Sequence, residues 1–444
     1  MDLQKPIKSK IVINPELFLF SEPKTNTGIN HTSWVDCHPV NQLTDTGDVQ
    51  ITISGSGSAY LDLSRTLLYV KAKIVKANGE NLTGADKVGP INLFLHSMWS
   101  QMNVSFNQKQ VSASGFDYAY QSIISTHLDM SPQAKTSFLQ SALYYKDTAG
   151  NMDATNSAPS VDDIASKNNE GLNTRAKFST ESKEFDMIGI PFADIFHMPR
   201  YLINGVDVGI NLVQNKNSFR LIAQGTEQYK LKLTHVSLKA CKVYPDNNMI
   251  ISHGETMLEE EALFPFTQID IKTFSISQGT YTINLDDVYQ GKIPSLLVCG
   301  FVDSAAYAGD YSKNPFNFKN EHVDSFTCCA DNQALPFDGI NTKFSADNFQ
   351  EAYLALFTAR GDGLANVGGT DITRTDFKDG YTLFVFNLDS HLHEDAEQQP
   401  KQRIGNLSLK IKLSKALTQS ATLVCYARFP SLITIDKARA VRTS

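Results

Sequence analysis

The 444-residue sequence has no apolar run approaching the roughly 20 residues that cross a bilayer as a helix. Its opening stretch, MDLQKPIKSKIVINPELFLF, lacks the continuous apolar core and small-residue cleavage site of a secretory leader. Synthesis inside a cell is therefore expected, and the sequons at Asn30, Asn81, Asn103 and Asn406 read as chance matches. Cysteine is sparse and scattered (Cys37, Cys241, Cys299, Cys328, Cys329, Cys425), which excludes a disulfide scaffold; Cys299 and Cys425 fall in apolar strand runs and read as reduced core thiols. A positive excess is also missing: the formal charge is −7 and the pI about 5.8, so the chain as a whole is no nucleic-acid glove.

Catalytic signatures are missing as well. There is no Gly-x-Ser-x-Gly elbow, Cys328-Cys329 is adjacent instead of spaced as C-x-x-C, and no cysteine sits in a recognisable His-bearing signature. Ser54-Gly55-Ser56-Gly57-Ser58 lacks the Gly-Lys-[Ser/Thr] ending of a phosphate loop and reads as a turn. Gly361-Asp362-Gly363 and Gly368-Gly369-Thr370-Asp371 lack the carboxylate spacing of a calcium loop. His391-Leu392-His393-Glu394-Asp395 is the most metal-like cluster, because an i, i+2 histidine pair on a strand shares a face, but its setting reads as an exposed loop. No catalytic, cofactor-binding or metal residue is assigned, and no enzymatic activity is expected.

What is present is β pattern. Phe (26) and Tyr (16) are plentiful and favour strands, while Trp (2) is scarce. Ile269, Ile271, Thr273 and Ser275 alternate with Asp270, Lys272 and Phe274, as in a strand with one buried face. Ser295 to Val302 (SLLVCGFV) is a continuous apolar run, expected of a strand covered on both faces. Further strands are predicted at 48–54, 60–77, 102–106, 184–190, 206–213, 218–223, 229–243, 280–285, 325–330, 381–388, 407–413 and 421–429. Helical spacing marks Phe116 to Leu128 and Phe349 to Phe357, and Ser131-Pro132 opens a second helix carrying Phe138, Leu139, Ala142 and Leu143. Residues 1–45 read as irregular, 147–174 and 361–379 as polar loops, and His253 to Glu261 as an acidic hinge.

The order of elements repeats. In each half a strand and tight turn (102–110, 326–333) lead to a helix, then a polar loop, a strand (185–190, 381–386) and long alternating strands. Without βαβ alternation, this argues for an all-β chain of two tandem eight-stranded antiparallel jelly rolls (a double jelly roll) with a few short helices in the connections. The expected divisions are an N-terminal arm 1–45, a first roll 46–254, a second roll 255–430 and a C-terminal tail 431–444.

Leu93–Asn107 (LFLHSMWSQMNVSFN), Tyr118–Asp129, Ala142–Asp153 (ALYYKDTAGNMD), Gly291–Asn320, Gly380–Leu388 (GYTLFVFNL) and Ala421–Asp436 together resemble the major capsid proteins (hexons) of Polinton/Maverick elements and adintoviruses, of the double jelly-roll lineage. The resemblance implies homotrimeric, pseudo-hexagonal capsomers tiling an icosahedral shell around double-stranded DNA, assembled inside the host cell, with penton and minor capsid proteins as partners. It supplies no catalytic or ligand residues and no cofactor. The basic termini, Lys5, Lys8, Lys10, Lys437, Arg439 and Arg442, are candidate contacts to packaged DNA. The other reading of the residues is a carbohydrate-binding, lectin-like sandwich with Tyr307, Tyr311 and Phe316 as an exposed aromatic platform.

Overall fold

The computed structural model describes residues 27–154, 169–331, 333–358, 370–388 and 402–443. The first half carries β1 (Ile29–Cys37), β2 (Val49–Ile53), β3 (Tyr60–Lys76), β4 (Val88–Pro90), β5 (Trp99–Phe106), β6 (Lys109–Ala113), β7 (Phe185–Gly189), β8 (Val208–Gln214), β9 (Leu221–Ala223) and β10 (Tyr229–Pro245). The second carries β11 (Ala262–Ile276), β12 (Thr282–Tyr289), β13 (Leu296–Asp303), β14 (Val323–Ala330), β15 (Gln333–Asn341), β16 (Phe384–Asn387), β17 (Leu407–Leu413), β18 (Ala421–Ile435) and β19 (Val441–Thr443). Short helices fill the connections: α1 (Phe94–Ser97), α2 (Tyr118–Asp129), α3 (Pro132–Lys135), α4 (Glu170–Phe178), α5 (Asn217–Arg220), α6 (Asn247–Thr256), α7 (Ser304–Ala308), α8 (Gln350–Thr358) and α9 (Arg374–Lys378).

Beside a small β4-β9 sheet, the strands make two main sheets in each half, β1-β10-β3-β7 and β2-β8-β5-β6 in the first, β11-β18-β13-β16 (with β19 on β18) and β12-β17-β14-β15 in the second, all with antiparallel pairing. If the eight sheet strands of each half are numbered in chain order, leaving out β4, β9 and β19, both halves read 1-8-3-6 in one sheet and 2-7-4-5 in the other. That order is the eight-stranded jelly roll, and it occurs twice. The matched elements expected from sequence hold equivalent places: β5 and β14 are both the fourth strand, β7 and β16 both the sixth, and α2 and α8 both lie between the fifth and sixth.

Local chemistry accounts for the elements. β17 (LSLKIKL) alternates, with Leu407, Leu409, Ile411 and Leu413 buried and both lysines exposed. β13 is buried at every position, with β16 and β18 paired on either side. The β5–β6 hairpin turns on Asn107 and Gln108, both at positive φ (46° and 68°), as a two-residue turn matched to strand twist demands. Ser131 caps α3 by accepting from the Ala134 amide.

Several expectations need correction. Residues 29–37 are not irregular: they form β1, paired with β10 as an edge strand. The hinge region begins inside a helix, α6, and the helix expected after Ser131 is one turn followed by a 3₁₀ segment, Phe138–Ala142, in which Phe138 is exposed. The 147–174 loop contains a buried Asp147 and ends in α4, residues 217–220 are helical, and α9 falls within 361–379. The expected facing of β11 is also incomplete. Phe264, Phe266 and Ile276 are buried on one face, while Ile269, Ile271 and Thr273 on the other are half-buried, because that face meets the first half.

Candidate functional site

The most constructed region of the described chain is the seam between the two rolls, and α2 is its axis. The helix reads YAYQSIISTHLD, and Tyr118 to Leu128 are all buried. Hydroxyls within it are satisfied locally, Ser122 donating to the Ala119 carbonyl at 2.9 Å and Thr126 to that of Ser122 at 2.8 Å. Tyr118 and Gln121 bond to Phe192 within the first roll, and other polar groups reach across. The Tyr120 hydroxyl donates to the Pro315 carbonyl (3.0 Å), and its ring stacks on Tyr307 and meets Phe316 edge-on, both at 5.7 Å. Ser125 pairs with the Tyr426 hydroxyl at 3.0 Å. Beyond the last turn, Asp129 holds Arg428 at 2.5 Å, and Arg428 Nε donates to the Tyr426 hydroxyl at 3.0 Å. At the N-cap, Asp117 accepts from the Tyr307 hydroxyl (3.0 Å), which also meets Thr273 of β11 at 3.2 Å.

Further bridges lie beside the helix. The Asp194 carboxylate accepts from the hydroxyl of Ser112 and from the amides of Ile195 (2.9 Å) and Ile269 (3.4 Å), the last on β11 of the second roll. On the opposite flank, Lys135 meets Asp371 at 2.5 Å and Lys146 meets Asp376 at 2.8 Å. Arg175, fully buried, pairs with Asp147 at 2.7 Å, and the other Asp147 oxygen accepts from Asn314 at 3.0 Å. Burial raises the Asp117 and Asp194 carboxyls to about 6. Burial also acts to raise Asp371, but Lys135 and Lys146 prevail and hold it below its ordinary value. Burial lowers His96 and His127 to about 3, so both are neutral at any physiological pH. Asp117, Asp194 and Asp371 are held by partners across the seam, while His96 meets the Tyr118 hydroxyl at 3.1 Å within the first roll; these bonds fix the orientation of one roll on the other.

The residues singled out in the sequence fare variously. Cys328 and Cys329 are buried in β14, and Cys299 faces Cys425 across the β13–β18 ladder with sulfurs 3.7 Å apart, all as free thiols. Tyr307, Tyr311 and Phe316 form no exposed platform: Phe316 is 2% exposed against Tyr120 and Phe219, and the Tyr311 hydroxyl donates to the Tyr229 carbonyl at 2.7 Å. The C-terminal residues are not a free basic tail. β19 pairs back on β18, Arg442 meets Glu261 at 3.1 Å, and Arg439 donates to Asn204 at 3.0 Å in the first roll, leaving Lys437 exposed. Asp371 is committed to Lys135. His391 to Asp395, Gly361 to Gly363, Gly368, Gly369, and Lys5, Lys8 and Lys10 lie outside the described residues. Among the described residues no three His, Cys, Asp or Glu converge as a metal set, and no helix is long and apolar enough to cross a membrane.

Two surfaces were not anticipated. On one face of β3 and β10, Lys73 lies directly opposite Lys232, and Lys71 lies between His235 of β10 and Asp186 of β7, a charged face. On β2-β8-β5, Gln50, Thr52, Asn103, Ser105 and Asn211 make a face without charge. Strand alternation carried both signals, but only the pairing register joins them.

No protein-family model matches the chain. It is 24% identical over 430 residues to an uncharacterized protein of Caenorhabditis elegans, covering 94% of this chain and 98% of that one. Among solved structures, the Sputnik virophage by cryo-EM matches with a TM-score of 0.66 at 13% identity, over 99% of this chain and 93% of that chain. The Faustovirus major capsid protein follows at 0.57 and 9% (94% and 92%), and the mavirus major capsid protein at 0.53 and 10% (100% and 97%). The fold is thus the double jelly roll of viral major capsid proteins. The folds it matches belong to capsid proteins, not enzymes.

Proposed function

We propose that this chain is a major capsid protein. The observation that carries the reading is one strand order used twice in a single chain, together with an end-to-end likeness to major capsid proteins. Three copies of two similar rolls approximate six-fold symmetry, and a cyclic three-fold arrangement closes its heterologous contacts. Such capsomers would tile an icosahedral shell around double-stranded DNA, with penton and minor capsid proteins at the remaining positions. The rolls serve as domains 46–254 and 255–430, the first joined by β1 at its edge. The charged face of β3 and β10 and the uncharged face of β2-β8-β5 are two chemically distinct flanks, suited to setting which face meets which neighbour. A nematode relative over nearly the whole chain supports an element of the Polinton/Maverick and adintovirus kind. With Arg439 held within the chain, DNA contact rests on Lys5, Lys8, Lys10, Lys437 and the exposed Arg442.

Light scattering of the purified protein tests this. A stable particle of three times the 49.2 kDa chain is expected, with hexagonal outlines in negative stain. A monomer at all concentrations would overturn the reading.

A further inference from the structure

An apolar groove of about 410 Å³ opens where the two rolls join, below α6. Tyr60, Ile203, Met257 and Phe264 form its floor, and Tyr201 and Leu263 its rim, 39% and 47% exposed. The helix above it buries none of its residues, although Met249 and Ile251 are apolar and 42% and 59% exposed. An apolar groove beside exposed apolar side chains of a helix, both open to water, is a surface shaped for a partner.

The chain itself supplies one. The Gly28 carbonyl accepts from the Asp246 amide, the N-cap of α6, at 3.0 Å, so the N-terminal segment is tethered beside that helix. Those residues carry Ile11-Val12-Ile13 and Leu17-Phe18-Leu19-Phe20. Ten helical residues span about 15 Å, and the eight residues from Phe20 to Gly28 reach about 26 Å when extended. The second apolar cluster therefore reaches the groove from its own anchor, where tethering raises its local concentration to about the millimolar range. Charge agrees: Glu260 and Glu261 line the groove, and the first ten residues carry Lys5, Lys8 and Lys10 against Asp2.

We propose that the groove beneath α6 seats this chain's own N-terminal segment, with Leu17–Phe20 as the apolar anchor. The claim concerns the separate protein and stands whether or not the protein builds a shell.

Full-length protein carrying Leu263→Cys together with a cysteine at Leu17, Phe18, Leu19 or Phe20, in a Cys37→Ser background, tests it under mild oxidation. Expected is an intrachain disulfide for at least one pair, located by peptide mass, and none in the single variants. Covalent dimers alone, meaning an arm exchanged between copies, or no disulfide while both thiols react with maleimide, would overturn it. In parallel, Leu263→Glu, at an exposed position that leaves the melting temperature unchanged, is expected to raise tryptic cleavage at Lys24 several-fold. Unchanged cleavage counts against the proposal.

Discussion

Among single residues, Arg175 is fully committed. It is fully buried, with Nε on the Pro90 carbonyl at 2.9 Å, Nη1 on that of Tyr145 at 2.5 Å and Nη2 on Asp147 at 2.7 Å. Arg175→Met would leave the Asp147 carboxylate buried and uncompensated, so a loss of about 3–5 kcal/mol is expected in urea unfolding. Asp194 has the opposite character: a carboxylate buried without a cation. Its folded value, about 6, lies above the unfolded 3.8, so the folded chain holds that proton more tightly. The stabilisation is therefore complete below about pH 4 and fades as pH rises through 6. Against Asp194→Asn, the wild type should lose on the order of 2 kcal/mol of relative stability between pH 4.5 and 7. Unfolding curves measured at both pH values check this, and a constant difference would refute it.

At the scale of elements, β13 shows how closely the second core is filled. A Cβ on Gly300 would fall 2.6 Å from Phe318 Cδ1 and 2.9 Å from Leu383 Cδ2, and both of those side chains are fully buried. Gly300→Ala should therefore destabilise by about 1–3 kcal/mol, seen as a lower urea midpoint at unchanged slope. The strand itself was readable from its continuous apolar run, as were β17 from strict alternation and α2 from its spacing, because in each the burial pattern is written into consecutive residues. β1 was not, for it is an edge: six of its nine residues are exposed, including Trp34, so nothing alternates. β11 was half readable. Its alternation marks a strand, but each face meets a different roll, a fact of tertiary placement that no local period records. The seam was illegible for the same reason, since Asp129 and Arg428, or Asp117 and Tyr307, are far apart in the chain and carry no motif. Arg439 looked like one charge of a basic tail, and only the β18–β19 hairpin returns it to the first roll.

For the whole molecule, the consequence is shared stability. α2 belongs by sequence to the first roll, yet its hydroxyls and charges find partners on Pro315, Tyr307, Tyr426 and Arg428 of the second. Separating the rolls would expose a helix that is buried along its length and leave Arg428 and Asp194 without the bonds that cross the seam. Small interdomain contacts allow each domain to melt alone, whereas a buried, hydrogen-bonded seam couples them. Calorimetry of the purified chain should therefore show one transition with van't Hoff and calorimetric enthalpies in agreement. Arg428→Ala, which strips Asp129 of its cation and Tyr426 of one of its two partners, should broaden or split that transition before it lowers the stability of either roll by itself. Two resolved transitions in the unmodified protein would show that the rolls are independent bodies and that α2 contributes far less than its burial implies.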